Sequence, residues 1–214
     1  FITSTPKPGW AHTNFYATVR DAIPIPIGFD TDVNVAALGE WLWGNAQNVD
    51  TFVYLTVGTG IGGGGMIRNE RMHGLLHPEM GHILIPHDRK TDPFEGICPF
   101  HKDCLEGLAS GTALRHRWGN SADTIPSEHP LWDLEADYLA FGLTNIICII
   151  SPKRIILGGG VMKQMHLFPK IRIRVKKHLN DYIQARAILD NIESYIIPPR
   201  FGSDAGILGA IALA

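Results

Sequence analysis

Four side chains that bind transition metals lie close together in the middle of the chain: His82, Cys98, His101 and Cys104. Two cysteines and two histidines are the number and type of ligands that a tetrahedral structural Zn²⁺ takes. The last three recur at every third residue, so a tight turn can direct them at one point, and His82 would complete the set from a neighbouring segment. A chance cluster of surface histidines beside ordinary buried thiols is the alternative, and the short spacing favours zinc.

A run of glycines in the first half of the chain could bind phosphate. Residues 58–65 read GTGIGGGG and follow a strand-like apolar stretch, 51–57. Glycines reach backbone conformations that direct several N–H groups at one anion, and the hydroxyls of Thr56 and Thr59 add donors. The run lacks the Gly-Lys-Ser/Thr ending of a P-loop, so a glycine-rich hairpin without a ligand is the alternative.

A second glycine run, 158–160, also follows a strand pattern and precedes a helical one. Ligands of α/β proteins bind at the carboxyl ends of strands, where this run would lie. Three glycines alone are weak evidence, so the run is a second candidate ligand site only in combination with the first.

Three carboxylates are placed where they could act on a hydroxylated substrate. Asp32 lies at the start of a predicted helix, where it could accept a proton from a substrate hydroxyl during phosphoryl transfer, or only stabilise the helix dipole. Glu79 and Glu106 flank the cysteine–histidine cluster. Carboxylates accept paired hydrogen bonds from vicinal diols, so the pair suggests a sugar. Two solvent-exposed glutamates are the alternative.

Strand patterns alternate with helix patterns along the chain, which predicts an α/β sheet covered by helices. Asp30 or Thr31 could cap the helix that carries Asp32. The predicted helices are 15–22, 33–46, 105–118, 131–150, 168–183 and 204–214. The predicted strands are 1–4, 25–29, 51–57, 66–68, 154–157 and 195–197.

The composition is that of a globular protein: 214 residues, 45% of them hydrophobic, with a net charge of −2. This charge gives no reason to expect nucleic acid or an anionic membrane as a partner, and no apolar run approaches the roughly 20 residues of a membrane span. The basic stretch 170–178 is interpreted as a solvated helix face rather than a nucleic-acid site. Cys148 is expected in the core. An odd cysteine count with thiolate ligands indicates a reducing compartment, the cytoplasm.

Five segments occur in the order typical of the ROK (repressor, ORF, kinase) sugar kinases, and the chain resembles that family over nearly its whole length. They are DVNVAALGE at 32–40, VGTGIGGG at 57–64, EMGH at 79–82, CLEGLASG at 104–111 and LGGGV at 157–161. CPFHKDC at 98–104 and TPKPGW at 5–10 are similar to the bacterial fructokinase branch. The resemblance implies an actin-like ATPase (ribonuclease H-like) α/β fold with two lobes. It also implies ATP-dependent phosphorylation of a hexose, with fructose at O6 as the first candidate.

The resemblance implies a role for each matching residue. Asp32 would be the general base that takes the proton of the sugar hydroxyl as it attacks the γ-phosphate of ATP. His82 would use one ring nitrogen on a structural Zn²⁺ and the other toward the sugar. The sugar would bind to Thr31, Glu79, His82 and Glu106. The nucleotide would bind to Thr56, Gly58, Thr59, Gly60, Gly62, Gly159 and Gly160. Mg²⁺ would accompany ATP, because phosphoryl transfer requires charge neutralisation.

The chain departs from the family pattern in two places. The family has Asn-Asp before the helix where this chain has Thr31-Asp32, which leaves one donor fewer for the sugar. The family's first phosphate loop, Asp-x-Gly-Gly-Thr, has no counterpart here, so we expect the first lobe to be truncated and this chain alone to be inactive. Residues 1–48 would end the first lobe, and residues 49–214 would form the second. The resemblance also suggests a homodimer.

Two other functions stay open at this point. The first is a kinase of the same family that acts on glucose, mannose or an N-acetylated hexosamine. The second is a sugar-sensing transcriptional regulator of the family, which would carry a helix-turn-helix ahead of this region. The intact Asp32 favours an enzyme over a regulator.

Overall fold

The computed structural model describes residue 2 and residues 9–214 of the chain. The predicted strand 1–4 therefore lies outside the described residues, apart from Ile2, which forms an isolated antiparallel bridge with Thr13. Across the described residues, no helix has the length and apolar character to cross a membrane.

Within the described residues, the strands form one sheet in the order β3-β2-β1-β4-β5. They are β1 (Phe52–Val57), β2 (Ile61–Ile67), β3 (Glu70–Arg71), β4 (Ile155–Gly158) and β5 (Ile196–Ile197). β1 is antiparallel to β2 but parallel to β4, which is in turn parallel to β5. The carboxyl ends of β1 and β4 therefore lie side by side, and each leads into one of the two glycine runs.

Helices cover both faces of this sheet. In chain order they are α1 (Phe15–Ala22), α2 (Asp32–Trp43), α3 (Leu105–Ala109), α4 (Gly111–Trp118), α5 (Leu131–Ile150), α6 (Leu167–Leu179), α7 (Arg186–Leu189), α8 (Ile192–Tyr195) and α9 (Ala205–Leu213). Side chains alternate between the faces of a strand. Val53 and Leu55 accordingly join the core that contains Trp132 of α5, whereas Phe52 and Tyr54 join a second core under α2 and α9.

Several predicted elements differ from the structure. The segment 25–29 forms no strand, and α2 ends at Trp43, before the predicted end at residue 46. The helix predicted over 105–118 is two helices, because Ser110 has an extended backbone and its side chain accepts a hydrogen bond from Ala113 N as the cap of α4. Helices α7 and α8 have no predicted counterpart, since each has only four residues and shows no clear period.

The glycine run was expected to be a turn, but most of it is strand. Only residues 58–60 turn, and β2 begins at Ile61. The glycines of β2 lie under packed neighbours: a Cβ on Gly63 would lie 2.6 Å from Met80 Cβ, and one on Gly62 would lie 3.0 Å from Val33 Cγ1. Glycine is therefore required here because helix α2 and the segment after β3 approach the strand closely.

Cys148 was expected in the core and is exposed. Ile146 and Ile147 are buried, while Cys148 and Ile149 are on the opposite side of the last turn of α5. At 3.6 residues per turn, a helix that packs on one side only leaves such neighbours in solvent. The apolar end of α5 is therefore half-buried, and the prediction was wrong because it assumed packing all round.

Several cationic side chains of the basic stretch 170–178 bond to other parts of the protein, which differs from the predicted solvated helix face. Lys170 Nζ lies 2.8 Å from Asp133 Oδ1, and Arg174 Nε lies 2.9 Å from Asp137 Oδ1, so both cations pair with acids of α5. Arg172 donates to the carbonyl of Ile196 in β5. These bonds direct the charges of α6 toward the protein.

Candidate active site

The four predicted metal ligands come together in the structure. The ligand atoms of His82, Cys98, His101 and Cys104 all lie within 4.8 Å of one another. Cys98 Sγ is 3.7 Å from Nδ1 of both histidines, and Cys104 Sγ is 3.6 Å from His82 Nδ1. A tetrahedral zinc with ordinary Zn–S and Zn–N bonds separates sulfur from nitrogen by about 3.6 Å. The residues therefore fit a zinc ion, and the ion itself stays a proposal.

The chemistry of the two thiols agrees with a cationic occupant. Both cysteines are buried. Burial, and after it the neighbouring Cys98, raise the pKa of the Cys104 thiol to about 11. A nearby metal cation is the usual means of ionising such a pair.

His82 uses its two ring nitrogens in different directions. Nδ1 faces the cysteine sulfurs, whereas Nε2 lies 4.0 Å from Glu106 Oε1. Glu106 lies in the first turn of α3, two residues after the predicted metal ligand Cys104. The structure therefore places the metal cluster and the predicted sugar-binding carboxylate on either side of one imidazole.

Glu106 also contacts the first glycine run. Its Oε2 accepts a hydrogen bond of 2.8 Å from Ile61 N, at the residue that follows the 58–60 turn. A Cβ on Gly60 would lie 2.5 Å from the same oxygen. The carboxylate is thus held by the turn on one side and available beside His82 on the other.

Glu79 is placed differently from Glu106. It is exposed, and its Oε1 lies 2.9 Å from His77 Nε2, a residue of its own loop. Its backbone carbonyl accepts from His82 N, so the short helical turn at Met80–His82 connects the two residues directly. A sugar-binding role for Glu79 stays a prediction.

Asp32 lies at the open start of α2. Thr31 caps the helix, and its hydroxyl oxygen accepts from Asn34 N at 3.3 Å. Asp32 is exposed, and its Oδ1 accepts from the adjacent Val33 N at 2.9 Å. The carboxylate therefore extends from the end of a well-packed helix into solvent, where a hydroxylated substrate could reach it.

A cleft of about 500 Å³ is lined by Asp32, by Thr56 of β1 and by the second glycine run, 158–160. A Cβ on Gly58 would lie 4.0 Å from Gly160 N, so the two runs are neighbours. Gly159 adopts a φ of +93° against Val57, a conformation that favours glycine. Gly62 is two residues past the turn and is paired with Thr56 in the β1–β2 ladder.

The far wall of this cleft was missed from the sequence. It is apolar and is built by Met162, Met165, Pro198 and Pro199, with Ser203 at the start of the last helical segment. No motif marks these residues, because they come from three separate loops. The only sequence signal was their position just after β4 and β5, where ligands of such sheets bind.

A second missed residue is Asp30, whose side chain is 1% exposed. Its Oδ1 accepts from Thr31 N at 2.7 Å and from Asn34 Nδ2 at 3.1 Å. Its Oδ2 lies 2.9 Å from Arg71 Nη1 and 3.0 Å from His73 Nε2. Asp30 therefore ties the start of α2, next to Asp32, to the edge of the sheet at β3.

We expect Asp30→Asn to lower the free energy of unfolding at pH 7 by about 2 kcal/mol, since charged hydrogen bonds to a buried carboxylate are lost. Burial alone would raise the pKa of Asp30, but the hydrogen bonds from Asn34, His73 and Thr31 outweigh it and lower the pKa below its ordinary 3.8. The contribution is therefore complete above the unfolded-state pKa and lost as the pH falls through the folded-state pKa.

Urea unfolding between pH 3 and 7 measures this, and the Asp30→Asn variant should show a smaller loss of stability toward acid than the wild type. Asp50→Asn is the matched control, because the solvent-exposed Asp50–Lys153 pair should contribute little to stability. Equal effects of the two substitutions would contradict the assignment of Asp30 as a buried anchor.

A third missed cluster stabilises the metal loop, residues 83–104. Asp92 is buried, and its Oδ2 lies 2.6 Å from Arg117 Nη2 and accepts a 2.6 Å hydrogen bond from the Tyr138 hydroxyl. Arg117 also donates to the carbonyl of Leu108 in α3. His87 bridges Asp92 and the loop residue Asp103. This network fixes the loop to α3, α4 and α5 independently of the metal ligands.

The ROK family profile matches residues 1–214, which is the whole chain. The chain belongs to the ROK family. It is 49% identical over 213 residues to a protein of Bacillus subtilis named putative fructokinase, covering 100% of this chain and 71% of that protein. It is 44% identical over 217 residues to the fructokinase of Zymomonas mobilis, covering 100% of this chain and 70% of that enzyme.

Solved structures of ROK proteins share the fold. The ROK hexokinase of Thermus thermophilus superposes with a TM-score of 0.76 at 26% identity, covering 97% of this chain and 71% of that one. A ROK glucokinase of Streptomyces griseus in complex with glucose and AMPPNP superposes with a TM-score of 0.75 at 25% identity, covering 99% and 75% of the two chains. The predicted actin-like ATPase fold is therefore confirmed, and this ROK protein is an ATP-dependent sugar kinase by family.

Proposed function

We propose that this ROK protein transfers the γ-phosphate of ATP to fructose and forms fructose 6-phosphate. The observation that carries the proposal is that relatives named fructokinase match the chain over its full length at 39% to 49% identity. A relative named glucokinase, from Halalkalibacterium halodurans, matches at 27%. Fructose is therefore favoured over glucose among the sugars that the family phosphorylates.

The geometry supports a separate role for each group of residues in the site. Asp32, exposed at the start of α2, would take the proton of the attacking sugar hydroxyl. Glu106 and His82, with Thr31 and Glu79, would hold the other hydroxyls. Thr56, Gly58, Thr59, Gly60 and Gly62 would bind the phosphates, and Gly159 and Gly160 would contact the adenosine. The base would then rest against the apolar cleft wall at Met162 and Pro199.

Two metals complete the proposal. Zn²⁺ would be held by His82, Cys98, His101 and Cys104 and would supply rigidity, since all four positions of the shell are protein ligands. Mg²⁺ would enter with ATP and neutralise charge on the phosphates. Residues of this chain would orient the phosphates and the sugar.

Three broader assignments belong to the same proposal. The division into an end of a first lobe, 1–48, and a second lobe, 49–214, follows from the family resemblance, as does the homodimer. The cytoplasm is supported by two buried cysteines, Cys98 and Cys104, that form no disulfide and would bind zinc as thiolates.

Sugar profiling of the purified full-length protein tests the substrate. We expect kcat/KM for fructose to exceed that for glucose, mannose and N-acetylmannosamine by at least about tenfold, a difference that corresponds to roughly 1.4 kcal/mol of transition-state binding. Product analysis should show phosphate on O6. Faster turnover of glucose than of fructose would contradict the proposed substrate, while leaving the kinase assignment in place.

A further inference from the structure

The first turn of α4 orients the backbone of the 58–60 turn. Gly58 O accepts from Gly111 N at 2.7 Å, and Thr59 O accepts from the Thr112 hydroxyl at 2.7 Å. Gly60 O accepts from Gly58 N within the turn. The two carbonyls that point outward from the turn are therefore both engaged by the first turn of α4.

Two N–H groups of the same turn, those of Thr59 and Gly60, are left for a ligand. Among the described residues, no protein acceptor bonds to the N–H of Thr59 or Gly60. Thr59 is exposed. Because a peptide's N–H and C=O point in opposite directions, holding Thr59 O against α4 turns Gly60 N–H away from α4.

We propose that Thr112 is a positioning residue for the nucleotide phosphates. Its hydroxyl fixes the Thr59–Gly60 peptide in the orientation that directs the Gly60 N–H toward the phosphate chain. Gly111 assists in two ways. Its N–H donates to Gly58 O, and the absence of a side chain lets the turn approach α4 closely, since a Cβ there would lie 2.8 Å from Gly58 O. This inference rests on the proposed binding of phosphates by the 58–60 turn.

The local sequence explains why α4 can do this. Ser110 has an extended backbone, which ends α3, and its side chain caps α4, so the chain changes direction between Glu106 and Thr112. Glu106 bonds Ile61 N, after the turn, and Thr112 bonds Thr59 O, within it. The segment 106–112 therefore bonds the backbone both within the turn and just after it. Within this segment, Thr112 is the residue that bonds the Thr59–Gly60 peptide.

The test is calorimetric binding of MgADP to the purified full-length protein, together with steady-state KM values. Thr112→Val removes the hydroxyl donor at constant shape and should weaken MgADP binding and raise KM for ATP by about fivefold, the net worth of one hydrogen bond. KM for the sugar should change less than twofold. Thr112→Ser keeps the donor and should restore both values to those of the wild type.

Two further variants separate this role from a general structural one. Gly111→Ala should also weaken MgADP binding, because its methyl group displaces Gly58 O without touching the hydroxyl. Thr144→Val is the matched control: Thr144 donates to Ala140 O at 2.8 Å in α5, and MgADP binding should be unchanged.

Two outcomes would overturn the positioning role of Thr112, and a third would contradict the proposed kinase function. Equal MgADP binding by the wild type and Thr112→Val would overturn the positioning role. A loss in Thr112→Val with normal binding by Gly111→Ala would also overturn it, because the hydroxyl would then contact the phosphate itself. Absence of MgADP binding by the wild-type protein would contradict the proposed kinase function instead.

Discussion

Replacing Asp32 by Asn is expected to lower kcat by about 10²–10⁴-fold, the usual contribution of a positioned general base. The amide has nearly the same shape and can still accept from Val33 N, as Asp32 Oδ1 does at 2.9 Å. It cannot accept the proton of the sugar hydroxyl. The start of α2 should therefore keep its structure while the chemical step slows.

The structure gives reasons to expect a selective effect. Asp32 is exposed, so its removal leaves no buried donor without a partner. The polar anchors of this region are Asp30 and Asn34, and the latter accepts from Gly65 N and donates to Met72 O. These bonds remain in Asp32→Asn. Calorimetric MgADP binding and thermal unfolding should match the wild type, and KM for fructose should change less than kcat.

Stopped-flow or coupled-assay kinetics with fructose and ATP measure the effect on kcat, and Asp21→Asn is the control. Asp21 is exposed and, among the residues that the structure describes, pairs only with the neighbouring Arg20, so the kcat of Asp21→Asn should stay within twofold of the wild type. If Asp32→Asn retained more than about a tenth of the wild-type kcat, Asp32 would not be the base, and the general-base contribution would have to come from elsewhere.

From the sequence, the residues that carry the chemistry of the site could be predicted better than the residues that hold them in place. His82, Cys98, His101 and Cys104 form a motif with short spacing, so their meeting point could be predicted from local geometry. Asp30 could not be assigned in the same way. Adjacent to a helix start it looks like a cap, whereas its partners Arg71 and His73 lie some forty residues away. Contacts of that separation leave no period or spacing in one sequence.

The glycine run illustrates a second limit. Glycine is depleted in strands, so GIGGGG indicates a turn by propensity alone. The structure makes it the second strand of the sheet, because α2 and Met80 pack too closely on it for any side chain. The phosphate turn is consequently shorter than the motif suggested. Tertiary packing overrode a correct local preference, and only the residues 58–60 remain where the prediction placed them.

Substituting Ser for either Cys98 or Cys104 is expected to abolish zinc binding and to lower the free energy of unfolding by more than about 3 kcal/mol, since structural zinc binding contributes directly to folding. The wild-type protein should contain about one zinc per chain, because the cluster offers one complete set of four ligands. Elemental analysis and urea unfolding measure the two effects. Cys148→Ser is the matched control, because that thiol is exposed and remote from the cluster in sequence.

Loss of zinc in these variants should not unfold the whole chain. The Asp92–Arg117–Tyr138 network, and the packing of Ile85 in the core around Trp132, hold the metal loop to α4 and α5 separately from the four cluster residues. We therefore expect a folded variant with a locally opened loop, visible as faster amide exchange over 97–106 than elsewhere. Uniformly faster exchange would contradict this separation. Metal-free wild-type protein of full stability would remove the zinc assignment altogether.

The same substitutions connect the metal to the sugar. Cys104 directly precedes α3, whose first turn carries Glu106, and His82 lies between the sulfurs and that carboxylate. Loss of the metal should make the side chains of His82 and Glu106 more mobile. Gly111 and Thr112 of α4 would still hold the 58–60 turn by their hydrogen bonds. Cys104→Ser should therefore raise KM for fructose by about tenfold, the cost typical of a disturbed metal environment, and change MgADP binding less than twofold. Equal losses of both ligands would mean that the metal supports the fold alone and has no particular relation to the sugar.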